Sequence, residues 1–436
     1  MSVDSSSDTG RNTLLARLGL PDLSGSGRFV AANVIDSLAS GLVMAFMVVY
    51  FTRTTDLSLV SVGTALTLGY ALALPAPAVA GRLLDRFGPR VVVGVGNLIS
   101  ALGFACLFLA HETWQIVATQ LIVQTGASLY WTAGSALVPL VAAEGDRTRW
   151  FGFIRALRNV GIGFGGAVAS LAMAVASTTG LRVLVAVNAL SYLLAAWLIT
   201  TWRPAGEPSA EEKAAAAGEA PRAGYLTVLR DGAYMRLVTA NLAFVLASMV
   251  LSVLLGVYAV DSLGAGAWVA GVLITLNTAL VATTQTVATR WIERHRPAKV
   301  IALAAVTNAV AFAGFAALSL VPSWAVVAGL LGAVVLYTLA EVLGSPPMGE
   351  LSVSMAPAHA RGRYLGMFQL SWTLGGAVAP AVLTALLDRG PAWPWLFLAG
   401  FSLLAVPLVL SLRQAPAPAA PTVHADGVSA MEGSHS

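Results

Sequence analysis

Residues 57–80 and 91–110 contain no Lys, Arg, Asp or Glu, and between them lies Gly81-Arg-Leu-Leu-Asp85-Arg86-Phe-Gly88-Pro-Arg90. A helix needs about 20 apolar residues to cross the hydrocarbon core of a bilayer, and each stretch meets that length. Backbone polar groups in lipid must be satisfied internally, so the charged segment reads as a short connection at a membrane surface between two spanning helices. Composition agrees. Of 436 residues 57% are hydrophobic and 11% charged, whereas soluble domains carry about 25% charged residues. A mean hydropathy of +0.78 leaves more apolar surface than a water-soluble core could enclose.

Similar runs occur at about 29–51, 57–80, 91–110, 115–142, 151–177 and 181–202, then at 235–260, 266–289, 299–320, 324–346, 362–387 and 393–412. Twelve spans are thus expected. Basic residues set their direction, because cytoplasmic loops are enriched in Lys and Arg. With the N-terminus inside, 22 of the 25 Lys and Arg fall in the termini and loops of that side, leaving Arg53, Arg182 and Arg389 outside. The small net charge of +4 therefore reports topology rather than nucleic-acid binding. An excess of Arg over Lys, with abundant Ala, Gly and Val, suggests a GC-rich bacterial genome. The expected location is a bacterial inner membrane, multi-pass, with both termini cytoplasmic. The polar, acidic start lacks the pattern of a cleavable signal peptide.

The expected organisation is a cytoplasmic N-terminal segment (1–27), a six-helix bundle (28–202), a cytoplasmic linker (203–234), a second six-helix bundle (235–413) and a disordered cytoplasmic tail (414–436). The halves show self-similarity in register. Arg82-Leu-Leu-Asp85-Arg86 aligns with Arg290-Trp-Ile-Glu293-Arg294, Gly134-Ser135 with Gly344-Ser345, Arg149-Trp-Phe-Gly152 with Arg363-Tyr-Leu-Gly366, and Gly161 with Gly375.

The pattern Gly-x-x-x-Asp-Arg-x-Gly-x-Arg over residues 81–90 resembles the signature loop between helices 2 and 3 of the major facilitator superfamily of secondary transporters. The resemblance covers about residues 28–413. It implies an all-α integral membrane fold of twelve transmembrane helices in two pseudo-symmetric six-helix bundles. Substrate would bind between the halves near the bilayer midplane. By resemblance Gly81, Asp85, Arg86, Gly88 and Arg90 form a conformational latch rather than a substrate site. In the second copy Thr289 and Arg296 replace the two glycines. Two patterns depart from the drug/proton antiporter type. Ile122 stands where an Arg precedes Gly126, and Gly161-Ile-Gly163-Phe-Gly165-Gly166 lacks the Pro of Gly-Pro-x-x-Gly-Gly.

Intramembrane acids are few. Asp36 lies in span one and Glu341 in span ten. A carboxylate at a helix centre costs about 2.5–3.5 kcal/mol on insertion scales, so each must be protonated, paired or facing water. In the family spans one, four, seven and ten line the central cavity, which implies that both acids face one wet space and couple proton to substrate movement. Other roles fit the same residues. Asp36 could make a packing hydrogen bond with Asn33, and Glu341 could brace span ten near Pro346-Pro347 or pair with Arg155 or Arg158. These arginines could equally anchor the membrane surface. Asn33, Gln124, Asn241 and Gln369 are cavity candidates, as are Tyr130, Trp131, Tyr337 and Trp372, which offer stacking surfaces. Other amides in the spans fit interhelical hydrogen bonds.

The expected function is secondary active transport, with proton-coupled efflux of small amphipathic compounds as the leading reading. Proton-coupled uptake of a metabolite is the alternative. The expected partners are a small-molecule substrate, protons and the lipid bilayer, with no nucleic acid, and the chain is expected to act as a monomer. No catalytic residue, metal site or cofactor is expected, the proton gradient being the energy source. Cys106 is the only cysteine, the five His fall in loops or tails, and no Gly-x-x-x-x-Gly-Lys-[Ser/Thr] phosphate loop occurs. An enzyme and ATP-driven pumping are therefore disfavoured, and a receptor would need neither duplicated six-span halves nor the latch loop.

Overall fold

The structure is a computed structural model that describes residues 20–175, 178–204, 224–266 and 268–412. The proposed disordered tail and most of the N-terminal segment and linker lie outside these residues. In the first half the helices are α1 (Gly27–Thr54), α2 (Leu59–Leu72), α3 (Ala76–Phe87), α4 (Pro89–Cys106), α5 (Thr113–Gly134), α6 (Arg147–Val175) and α7 (Thr178–Thr201). In the second they are α8 (Tyr225–Arg230), α9 (Gly232–Ser248), α10 (Trp268–Ile292), α11 (Pro297–Ala317), α12 (Ser323–Ser354), α13 (Arg361–Arg389) and α14 (Trp393–Leu410). α9 continues through the π-helical turns Val250–Leu254 and Tyr258–Ser262.

Among the described residues eight helices are long and apolar enough to cross a membrane, or nine if α2 and α3, bent by 41°, form one span. α1, α5 and α6 are 28, 22 and 29 residues long and occupy the positions of the other expected spans. They also carry Asp36, Gln124, Arg155 and Arg158.

Three boundaries differ from the sequence reading. Gly81, Asp85 and Arg86 are not in a loop but in the last turns of α3, and the connection is little more than Gly88. Gly88 has φ +79°, a left-handed conformation that glycine adopts without a Cβ clash. Pro89 then opens α4, where its fixed φ suits a first helical position. α12 runs through Pro346-Pro347 to Ser354, since neighbouring helices can compensate for missing backbone bonds in a membrane helix. The expected linker already contains α8 and the cap of α9, where Asp231 Oδ1 accepts from the backbone N–H groups of Ala233 and Tyr234 at 3.1 and 3.0 Å.

The halves pack alike. In the first, α1 packs on α6 and α4 on both α5 and α7; in the second, α9 packs on α13 and α11 on both α12 and α14. These are corresponding pairs, as the sequence repeat requires. Extensive contact across the halves is confined to α3–α13, α6–α10, α6–α12, and α5 and its following turn with α13 and α12. That set is also symmetric under exchange of the halves.

Candidate functional site

Two adjoining cavities lie between the halves, of about 520 and 170 Å³. They share a wall made by Phe151, Ile154, Arg155 and Arg158 of α6 with Phe368 and Trp372 of α13. The larger is lined by Asn33, Gln124, Tyr130, Trp131 and Gln369 among the expected residues. The smaller is lined by Asn241, Tyr337 and Glu341.

Glu341 is held from both halves. Arg155 of α6 forms an ion pair with one carboxylate oxygen, and Asn277 Nδ2 of α10 donates to the other at 3.0 Å. The same amide nitrogen donates to Thr338 Oγ1 at 3.0 Å. Arg155 lines both cavities, so its pair with Glu341 ties one half to the other beside their shared wall.

Arg158, nearly one turn further along α6, turns to its own half. Its Nη2 donates to the Tyr130 hydroxyl at 2.9 Å, and the guanidinium lies 3.9 Å from the Trp131 ring centroid and 5.5 Å from that of Tyr130. Such a cation over an aromatic face is attracted by the ring quadrupole. The Tyr130 hydroxyl has one proton of its own to give. Asn33 Oδ1 lies 3.2 Å away, and the Asp36 carboxyl is also within its reach.

Asp36 does not share an open wet space with Glu341. It is 3% exposed and absent from both cavity linings, buried behind Asn33 and Tyr130. The close packing of α1 on the glycine-rich face of α6 explains this: a Cβ on Gly161 would strike Ser37. Asp36 is thus coupled to the larger cavity through Tyr130 and Arg158, while Glu341 touches the smaller one directly. The remaining candidates divide similarly. Asn241 Nδ2 donates to Ser371 Oγ at 2.9 Å, and the Tyr337 hydroxyl donates to Ala247 O at 3.2 Å. Tyr337 is nearly fully buried, so it offers the cavity little free surface.

Of the residues expected to form a latch, Asp85 and Gly81 meet the second half at the Arg-rich end. Asp85 Oδ1 accepts from Gly362 N–H at 2.6 Å, in the first turn of α13, and Asp85 Oδ2 pairs with Arg363 Nη1 at 2.9 Å. A carboxylate at a helix N-terminus is favoured by the unpaired N–H groups and the macrodipole. Gly81 and Gly362 pack backbone to backbone, where a Cβ on either would meet the other's carbonyl. Arg86 lies over Phe87, and Arg90 donates to Thr200 O of α7 at 3.0 Å. Arg90 thus braces its own half. A second cluster joins the same end: Arg149 pairs with Glu293 at 2.8 Å, and Thr148 donates to Glu350.

Tyr225 was not singled out by the sequence. Its hydroxyl donates to Ala78 O, its ring lies under Arg82 at 5.6 Å, and it approaches the Cα regions of both Gly81 and Gly366. Burial pushes its hydroxyl pKa up to about 12, so it remains a donor at physiological pH. An aromatic in a polar linker gives no sequence signal of this docking.

The sequence profile of the Major Facilitator Superfamily matches residues 29–380 and 237–431. The chain is 25% identical to Multidrug resistance protein MdtH of Escherichia coli O9:H4 (strain HS) over 378 residues, covering 84% of this chain and 88% of that protein. The MdtH of Shigella boydii serotype 18 (strain CDC 3083-94 / BS512) gives the same identity and coverage. Among solved structures, FucP in the outward conformation superposes with a TM-score of 0.69 at 16% identity, covering 89% of this chain and 99% of that one. A bacterial homologue of the iron transporter ferroportin, in its outward-facing state, gives 0.71 at 14% identity, with 88% and 97% covered. With its helical halves, its interfacial cavity and a matching profile over most of its length, this multi-pass membrane chain belongs to the Major Facilitator Superfamily and is a transporter rather than an enzyme.

Proposed function

We propose that the protein exports small amphipathic compounds, drugs or secondary metabolites, across a bacterial inner membrane in exchange for protons. The observation that carries this reading is the interfacial cavity of about 520 Å³, walled by Tyr130, Trp131, Phe368 and Trp372 and backed by the Asp36–Tyr130–Arg158 group. An aromatic wall interspersed with amides and two guanidiniums suits an amphipathic guest. A buried acid one contact behind that wall can exchange a proton in step with the guest. The resemblance to the multidrug resistance proteins MdtH supports export.

In this reading both termini are cytoplasmic and the monomer is the working unit. The Arg-rich end is then the cytoplasmic face. Its contacts, α3 with α13 and α6 with α10, close that face, and rocking of the halves exposes the cavity alternately to either side.

The test uses inside-out membrane vesicles with an acid interior and ethidium as the probe. Export predicts ethidium accumulation that collapses when the pH gradient is removed, and Asp36→Asn should abolish the gradient dependence. Accumulation that ignores the gradient would end the proton-exchange reading, and normal coupling in Asp36→Asn would remove that residue from it. Release of preloaded ethidium from vesicles with the same acid interior, proton and guest leaving together, would favour uptake.

A further inference from the structure

We propose that the basic end of α1, α4 and α7 holds the headgroup of an anionic phospholipid. The site rests on the fold alone and stands apart from the transport cavity.

Three helix ends meet there: α1 begins at Gly27, α4 at Pro89, and α7 ends at Thr201. They frame an open recess of about 830 Å³ whose lining includes Arg28, Arg90 and Arg203 and, among the described residues, no Asp or Glu. The guanidinium groups are placed by the end of α7. Arg28 Nη1 donates to Thr201 O at 2.7 Å and Arg90 Nη2 to Thr200 O at 3.0 Å. Cations at the C-terminal end of a helix are favoured by its dipole. Of the five N–H donors on Arg28, that carbonyl takes one. The floor is rigid: Trp202 is 2% exposed, stacks on Phe29 at 5.0 Å, and donates from Nε1 to Gly25 O at 3.2 Å.

The recess opens onto an apolar wall. α4 packs against α7 so closely that a Cβ on Gly94 would press on Thr200. On α4 the exposed face is Val95, Leu98 and Leu102; on α7 it is Leu190, Leu194 and Trp197. The spacing of three or four residues puts each set on one helix face, and both stripes lead to the arginines. A phosphodiester in the recess would have its acyl chains lying along these stripes. Basic pockets between helices at the cytoplasmic surface suit anionic headgroups. The wall is what selects a lipid over a free phosphate, and three guanidiniums disfavour the ammonium of a zwitterionic lipid.

The experiment is lipid retention by the purified full-length protein, read by native mass spectrometry, with thermal unfolding in parallel. The arms are dioleoyl phosphatidylglycerol, dioleoyl phosphatidylcholine and inorganic phosphate. The wild type should retain phosphatidylglycerol roughly tenfold better than phosphatidylcholine. About 1 kcal/mol per basic residue near the surface converts, at 1.4 kcal/mol per tenfold, to roughly 25-fold weaker phosphatidylglycerol binding in Arg28→Gln/Arg203→Gln. Arg28→Lys/Arg203→Lys should keep most of the preference. Equal retention of the two lipids by the wild type overturns the proposal, and this arm decides even if the Gln variant fails to fold. Undiminished phosphatidylglycerol binding in a folded Gln variant also overturns it. If inorganic phosphate raises the unfolding temperature as much as the lipid does, the site binds a free anion and the proposal fails.

Discussion

Arg155 and Arg158 are nearly one turn apart on α6, yet one joins the halves and the other serves a single half. Arg155 has Glu341 as its charge partner across the interface, whereas Arg158 rests on Trp131 and Tyr130. The cost of intramembrane charge made Asp36, Glu341 and the two arginines visible in the sequence. Nothing in the sequence told which arginine meets which acid, because the partners are far apart along the chain and meet only through helix packing. The Asn277 amide, one of several amides in the spans, holds the second oxygen of Glu341. Removing one partner of such a pair leaves a poorly solvated charge, at a cost on the order of 3–5 kcal/mol. Arg155→Ala should therefore lower thermal stability in detergent markedly, and Glu341→Gln should lower it less, since the amide still accepts hydrogen bonds. The double variant should be more stable than the sum of the two single losses implies. Additive losses would mean that the pair is not coupled.

Among the elements, α3 shows how backbone geometry extends a motif. The charged segment expected between two spans forms the final turns of a helix, leaving Gly88 as the turn. That places Asp85 against the first turn of α13 and Gly81 against Gly362. The motif residues were legible as a group because of their type and spacing. Their division of labour was not, since Arg90 faces α7 while Asp85 faces α13. Gly362→Ala would drive a Cβ into the Gly81 carbonyl. In a Cys106→Ser background carrying a single cysteine introduced at the Arg-rich end, labelling of that cysteine should then rise severalfold. Tyr225→Phe should have a milder effect in the same direction, losing one hydrogen bond worth about 1 kcal/mol while keeping the ring. Unchanged labelling in Gly362→Ala would show that this glycine contact does not hold the end closed.

For the whole molecule, the repeat read from the sequence returns as repeated packing. Corresponding helices pair in each half, and the contacts across the halves obey the same symmetry. Three of the four apolar clusters lie within one half each, and the fourth also takes in Val353 and Leu365 from the second half. The Arg149–Glu293 pair lies at the end where the halves meet. Arg149→Cys/Glu293→Cys in a Cys106→Ser background, bridged by a short bifunctional reagent, should reduce ethidium transport to the level of empty vesicles. A reducible bridge should restore it when cleaved. Full transport with the bridge intact would show that the two halves need not part at this end.

The sequence by itself determined that the chain lives in lipid, how its apolar runs are divided, and that its halves are related. Hydrophobic length, charge placement and residue type are local properties, and the bilayer enforces them segment by segment. The tertiary structure decided which polar groups share a cavity, that Asp36 is buried behind Tyr130 rather than exposed beside Glu341, and that Tyr225 joins the closed end. Those facts depend on the angle and depth at which helices distant in the chain pack together. Helix periodicity fixes the face a residue occupies on its own helix, but only packing decides what that face meets.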